Sequence, residues 1–375
     1  GGVVFRNILV IAQFVISIVL LIGTTVVYQQ LQYIQNKNLG FDKENLLYAN
    51  LHGNVSGKIN TWRTAFEANP LTANVTIASG LPTNHVSGTG NLSWQGKDPD
   101  KQFMFAHMFI DDNFIPLYNM VLVRGRNFYK EMRGDSSNYI INQKAAEIMG
   151  FTPESAIGQP LTLWTDRKGI IIGVVRNFNF KPLQEAIEPL LMGVNTWGNI
   201  VVVKAQPNKT AETIEAMEEV WNSLENVYPF SYKFVDEDLE NLYKSERQVG
   251  TLFTVFAVLA ILISCLGLYG LSAYIAEQRT REIGIRKALG ASVLNILYLL
   301  NTRFVIPVFM AIIIAAPLAW FAMSKWLQGF AYSVNFNWGL VLIAGAIALL
   351  ISLLTVSYES VKAAKVNPVK SLRTE

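Results

Sequence analysis

Cysteine is almost missing from this sequence. Cys265 is the single one in 375 residues, so no intrachain disulfide can staple the fold. Inside an apolar run it reads as a small packing residue. Histidine is nearly as scarce. His52, His85 and His107 stand far apart, with no H-E-x-x-H pairing and no cysteine partners, which argues against a zinc site. Charge is low too: Asp, Glu, Lys and Arg make up 16% of the chain, against roughly 25% in a soluble domain. A net charge of +3 is too small to imply a nucleic-acid partner. No Walker motif occurs. The stretch Gly53 to Lys58 has the wrong glycine spacing, and Ile59 stands where a P-loop has Ser or Thr, so this sequence has no P-loop route to ATP hydrolysis.

Apolar residues are in surplus, at 51% with a mean hydropathy of +0.28. Four runs are both apolar and free of charge: Ile8 to Tyr28, Val249 to Ala276, Phe304 to Ser324 and Trp338 to Tyr358. Each reaches the ~20 residues that cross ~30 Å of hydrocarbon as a helix. The stretch Ala68 to Gly96 also lacks charge, but its Asn, Ser, Thr, Gly and Pro content reads as polar loop and strand. The first run is too long for a signal-peptide core, and no A-x-A site follows it. The expectation is a membrane protein: an α-helical four-span transmembrane bundle with a large α+β extracytoplasmic domain inserted between spans 1 and 2.

Lys and Arg placement orients the spans. Arg6 precedes the first. The link after the second carries Arg279, Arg281, Arg286, Lys287 and Arg303, and the tail after the fourth carries Lys362, Lys365, Lys370 and Arg373. The loop between the third and fourth has only Lys325 beside Trp326, Phe330, Tyr332, Phe336 and Trp338. The basic segments belong in the cytoplasm and the aromatic loop at the outer interface. Both termini are then cytoplasmic and 29–247 lies outside. That region holds 20 Lys and Arg against 24 Asp and Glu, but long domains translocate whatever their charge, so the short segments decide.

The outer 220 or so residues suffice for one or two lobes. Strands are expected at Leu46 to Leu51, Ala73 to Ala78, Ile200 to Val203 and Phe230 to Val235. Helices are expected at Ile59 to Glu67 and Thr210 to Leu224. These strand–helix–strand units, about 45–100 and 199–236, close into one lobe. A second lobe, about 103–195, contains the strand Ile170 to Val175 and a helix from Gln143 to Met149 ended by Gly150. The acidic run Asp236, Glu237, Asp238, Glu240 suits a first helical turn better than a metal site. The flanks, from Tyr28 through Ile34 and from Leu239 into the second span, read as helical stalks.

The link Glu277 to Ser292 is short, basic and helical in composition. Arg279, Arg286 and Lys287 can face anionic headgroups, while Ile283, Ile285 and Leu289 offer an apolar surface. On physics alone it is either a membrane-surface helix or a docking helix for a cytoplasmic partner.

The string Arg281-Glu282-Ile283-Gly284-Ile285-Arg286-Lys287-Ala288-Leu289-Gly290-Ala291-Ser292 resembles the cytoplasmic signature of MacB/FtsX-type permeases of ABC transporters. The tail from Val366 to Arg373 resembles that family's N-P-x-x-x-L-R ending. Phe14 to Ser17, Ile157 to Leu161 and Gly173 to Phe178 resemble its first span and periplasmic core. The resemblance implies domains at 1–28, 29–247 and 248–375, with later spans at about 249–276, 304–324 and 338–358 and a coupling segment at 277–292. It implies a bacterial inner-membrane permease subunit that binds no cofactor of its own. ATP is bound by a separate cytoplasmic ABC ATPase, whose hydrolysis is converted into periplasmic work on lipoprotein, peptide or drug. Arg281, Glu282, Gly284, Ile285, Arg286, Lys287, Leu289 and Gly290 then meet the ATPase. A second permease unit is expected, as a dimer partner or as the other half of one longer chain, which the Gly-Gly start fits. Membrane lipid and a periplasmic or outer-membrane partner are further expectations. A sensor, or a regulator of a cell-wall hydrolase without transport, is the alternative.

Overall fold

Apolar content alone dictates the first division of the fold. The computed structural model describes residues 2–52, 58–83, 87–129, 133–194, 198–224, 228–279, 282, 285, 286, 289 and 291–365. The chain forms two units: 1–36 with 245–375, and 37–244.

The first unit is a helical bundle. It comprises α1 (Gly2–Asn36) and three further long helices, described below after those of the inserted unit. Four of its helices are long and apolar enough to cross a membrane, as the four charge-free runs demand.

The inserted unit, 37–244, has two lobes. One is a four-stranded antiparallel sheet of β1 (Leu46–Asn50), β2 (Val75–Ala78) and two strands from the far end of the insert, β11 (Ile200–Lys204) and β12 (Lys233–Phe234), in the order β12-β1-β11-β2. The β-branched run Ile200-Val201-Val202-Val203 is buried at every position, as a strand sandwiched between neighbours must be. Helices α2 (Ile59–Glu67) and α6 (Thr210–Leu224) cover the sheet. Trp62, Phe66, Met217 and Trp221 bury against Leu47, Ile77 and Val201, and the rings of Trp62 and Trp221 meet edge-on at 5.1 Å.

The larger lobe is a mixed sheet of β3 (Gly88–Thr89), β4 (Leu92–Trp94), β5 (Phe105–Ile110), β7 (Tyr139–Asn142), β8 (Pro160–Leu163), β9 (Arg167–Val175) and β10 (Leu190–Val194), in the order β3-β5-β10-β7-β9-β8-β4, with β6 (Leu122–Gly125) also on β9. The short helices α3 (Phe114–Leu117), α4 (Gln143–Met149) and α5 (Pro153–Ala156) connect its strands. Asn142 caps α4 by accepting from the Ala145 N–H, and Gly150 closes it in the left-handed conformation. Gly125 has φ +80, and a Cβ there would sit 2.2 Å from the Ile172 carbonyl. Only glycine fits that approach.

Several expectations need correction. Residues 88–94 join the larger sheet rather than the first lobe, because β3 pairs with β5 and β4 with β8. The strand expected at 230–235 pairs only over 233–234. The acidic run does open a helix, α7 (Val235–Leu242), but the second stalk is not one continuous helix. It breaks at Tyr243, whose ring is buried and whose hydroxyl accepts from the Leu183 N–H at 2.8 Å.

The bundle is completed by α8 (Lys244–Gln278), α9 (Val293–Leu327) and α10 (Gly339–Lys365). Its core is a seam of Val10, Phe14, Ile18, Ile22 and Val26 on α1 against Val308, Ala311, Ala315 and Ala319 on α9 and Val341, Ala344 and Ala348 on α10. Small alanines let these helices approach closely. Helix α9 runs through both Pro307 and Pro317. The fourth run extends past its expected end at Tyr358, and α10 carries a buried carboxylate, Glu359, beyond it. Helix α8 is the least packed: 11% of its apolar window is buried, against 33–44% in the others.

Candidate coupling site

The link between α8 and α9 is where the sequence concentrates basic charge. Helix α8 ends on Gln278, and Arg279 closes it by donating its N–H to the Ile275 carbonyl at 3.1 Å. Glu282 then sits between two guanidiniums, accepting from Arg286 at 2.9 Å and lying 3.2 Å from Arg279. These i,i+3 and i,i+4 pairs favour a helical turn, but at this exposure each adds little stability. The Leu289 N–H donates to the Ile285 carbonyl at 3.0 Å, which puts the two side chains one turn apart on the same side. Ile285 is 47% exposed and Leu289 83%. Ser292 ends the link by capping α9, accepting from the Asn295 N–H at 3.3 Å.

Of the residues expected at the coupling site, Glu282 is thus paired with Arg286, and Ile285 lies one turn from Leu289. Arg281, Gly284, Lys287 and Gly290 lie outside the described residues, as does the 366–373 tail. Arg279, expected to face lipid headgroups, is paired with Glu282. Among the described residues no group of three or more His, Cys, Asp or Glu is placed to hold a metal.

Polar contacts inside the bundle went unread in the sequence, apart from Gln13. Gln13 on α1 rests on Gly267 of α8, where a Cβ would come within 2.7 Å of its Oε1. One turn on, Ser17 and Ser264 share a buried hydrogen bond of 3.1 Å. Gln30 is fully buried. Its amide donates to the Tyr332 carbonyl and accepts from the Val334 N–H, both at 2.9 Å, fastening α1 to the α9–α10 loop. Near the ends of α1 and α8 that lead into the inserted unit, a groove of about 580 Å³ is lined by Tyr28, Gln32, Gln35, Arg247, Thr251 and Thr254 among others. At the opposite end of the same pair, the Arg6 guanidinium lies 4.6 Å over the Tyr274 ring. Gln30 carried no advance signal of its own, because Gln29, Gln32 and Gln35 stand beside it on the same helix.

Residues 254–368 match the family model of the FtsX-like permease C-terminal region, which takes in most of α8, the link, α9 and α10. Two curated relatives are both described as macrolide export ATP-binding/permease protein MacB. The one from Aggregatibacter actinomycetemcomitans is 21% identical over 62% of this chain and 36% of its own length. The one from Chromobacterium violaceum is 24% identical over 70% of this chain and 42% of its own length. The C-terminal part of the chain is thus similar to the FtsX-like permeases, and the chain as a whole is similar to MacB. It spans less than half the length of these curated relatives. Among solved structures, the periplasmic region of MacB from Actinobacillus actinomycetemcomitans matches 57% of this chain and 99% of that chain, at 16% identity and a TM-score of 0.38.

Proposed function

We propose that this permease is the membrane unit of an ABC transporter of the MacB/FtsX type, and that a separate cytoplasmic ATPase drives it through the 277–292 link. The observation that carries this reading is the pair Ile285 and Leu289, apolar and exposed one turn apart beside the Glu282–Arg286 ion pair. Exposed leucine and isoleucine flanked by charge is the pattern of a helix that seats its apolar side in a partner's groove. The short basic segments put the link and both termini in the cytoplasm and the inserted domain in the periplasm. ATP is bound by the partner, and the permease converts the partner's closure into movement of the periplasmic lobes. The bundle fits such a lever. Its helices interlock through small residues and buried polar contacts that tie α1 to α8 and to the α9–α10 loop. A second permease unit completes the transporter, and the least packed helix, α8, is the one with surface to spare for lipid or for that unit. The work done outside is export or extraction of a lipoprotein, peptide or drug.

The test is co-purification of the ATPase encoded beside this permease. Arg286→Glu combined with Leu289→Ala removes positive charge and exposed apolar bulk without touching the bundle core. The ATPase is expected to be lost from the purified complex while membrane insertion and yield stay unchanged. Full retention of the ATPase contradicts the proposal.

A further inference from the structure

The two lobes of the inserted domain meet along the free edge of β2, where the structure builds a charged junction. Helix α2 of the smaller lobe contributes Arg63, whose side chain is 9% exposed. It donates Nε to Glu67 at 2.6 Å, holds the Asp112 carboxylate with both terminal nitrogens, and lies 3.8 Å from Asp111. Asp111 and Asp112 belong to the larger lobe, in the turn between β5 and α3. Asp111 reaches the β2 edge, where one carboxylate oxygen accepts from the Thr76 hydroxyl and the other from the Ile77 N–H at 2.9 Å. Asn113, two residues on, donates its amide to the Val75 carbonyl at 2.6 Å. These two side chains therefore occupy the hydrogen-bonding groups that a fifth strand would take. The backbone seals the far end, with the Ser79 N–H on the Phe109 carbonyl at 2.8 Å.

Three carboxylates surround one guanidinium here. Burial raises the pKa of Asp111, and its Thr76, Ile77 and Arg63 partners counter that cost only in part. Without Arg63, the buried Asp111 would stand beside Asp112 with no cation between them, which is unfavourable for adjacent carboxylates.

We infer that Arg63 is the pin of a clamp that locks the two lobes of the inserted domain into one body, with Asp112 as its catch and Asp111 and Asn113 fastened to the β2 edge. Its use for transmitting movement rests on the lever reading above. Its existence does not, and the test needs no ATPase, so the two can fail separately.

The experiment uses the full chain in lipid nanodiscs, with Cys265→Ser as background and spin labels at Asn222→Cys and Lys168→Cys, exposed positions on the two lobes. Arg63→Gln is expected to broaden the distance distribution between the labels. It should also speed hydrogen exchange at the Ile77 amide roughly tenfold to a hundredfold, while β1 and β11 keep their protection. Asp112→Asn, on the other lobe, should reproduce the broadening, and combining the two should add little. An unchanged distribution in both variants overturns the clamp. So does exchange that rises equally across β1 and β11, which would make Arg63 a stabiliser of its own lobe only.

Discussion

The amide of Gln30 makes a sharp local prediction about the lever. It satisfies two backbone groups of the α9–α10 loop at once, the Tyr332 carbonyl and the Val334 N–H, and the residue is fully buried. Gln30→Met keeps the volume and the apolar stem but removes the Gln30 bond from both groups. A buried backbone group left unsatisfied costs about 1–3 kcal/mol, so losing both bonds should cost roughly 2–6 kcal/mol in total. At ~1.4 kcal/mol per tenfold, the open state of this loop becomes at least about 30-fold more populated. Gln30→Glu keeps an acceptor for Val334 but sets an oxygen against the Tyr332 carbonyl, and should do no better. The assay is hydrogen exchange of the Val334 amide in the full chain in nanodiscs, read against amides deep in α9. The prediction is a selective loss of protection at Val334 in both variants. Equal protection in wild type and Gln30→Met would refute the reasoning, because Gln30 is the acceptor for that N–H among the described residues.

Asp135 is expected to carry a pH-dependent part of the larger lobe's stability. Hydrogen bonds from Arg126 at 2.7 and 2.8 Å, with help from Asn138 and the Tyr129 N–H, hold its pKa down at about 2 against an ordinary 3.8. Stabilisation from a depressed carboxylate is present above the ordinary value and is lost as pH falls through the depressed one. Asp135→Asn should therefore cost about 1–2 kcal/mol at neutral pH, allowing for solvent around the part-exposed Arg126, with the deficit fading between about pH 4 and pH 2. Chemical denaturation across pH checks this, and a deficit independent of pH would contradict it. Gly125→Ala should destabilise the same lobe by about 2 kcal/mol or more, since it combines a positive φ with a clash against the Ile172 carbonyl; an unchanged melting transition would count against it. Asn142→Ala removes the α4 cap and the bonds joining Asn142 to Leu190 and Glu188, and should lower the denaturation midpoint by an amount equivalent to about 2 kcal/mol.

Long, one-sided signals were legible in the sequence. Each charge-free run from Ile8, Val249, Phe304 and Trp338 became part of one membrane-length helix, because apolar length has no competing explanation over ~20 residues. Ile200 to Val203 and Thr210 to Leu224 were equally plain, the first by β-branching and the second by its apolar stripe at Ile214, Met217 and Trp221. Gly150 marked the end of its helix because few other residues accept that left-handed turn. The failures are long-range. Nothing local says that Gly88 to Trp94 pairs with β5 and β8, since strand partners are chosen by tertiary packing. Tyr243 interrupts the stalk because its hydroxyl finds Leu183, 60 positions away. At the candidate site, Ile283, Ile285 and Leu289 read as an apolar surface, of which the described Ile285 and Leu289 are exposed, and Arg279 turned to Glu282 because an opposite charge stood three positions on. Gln30, Ser17 and Arg63 were silent, because a polar residue advertises a partner only once the fold supplies one.

The central claim is that the turn around Leu289 is the seat of a cytoplasmic ATPase. It is tested most directly by placing a photo-crosslinking amino acid at position 289 in the full chain and irradiating intact membranes that contain the neighbouring ATPase. An adduct with that ATPase that forms at Leu289 but not at the buried Ala319 on α9 is the predicted result. Absence of the adduct, or a position 289 that reacts only with reagents added from the periplasmic side, would contradict the account.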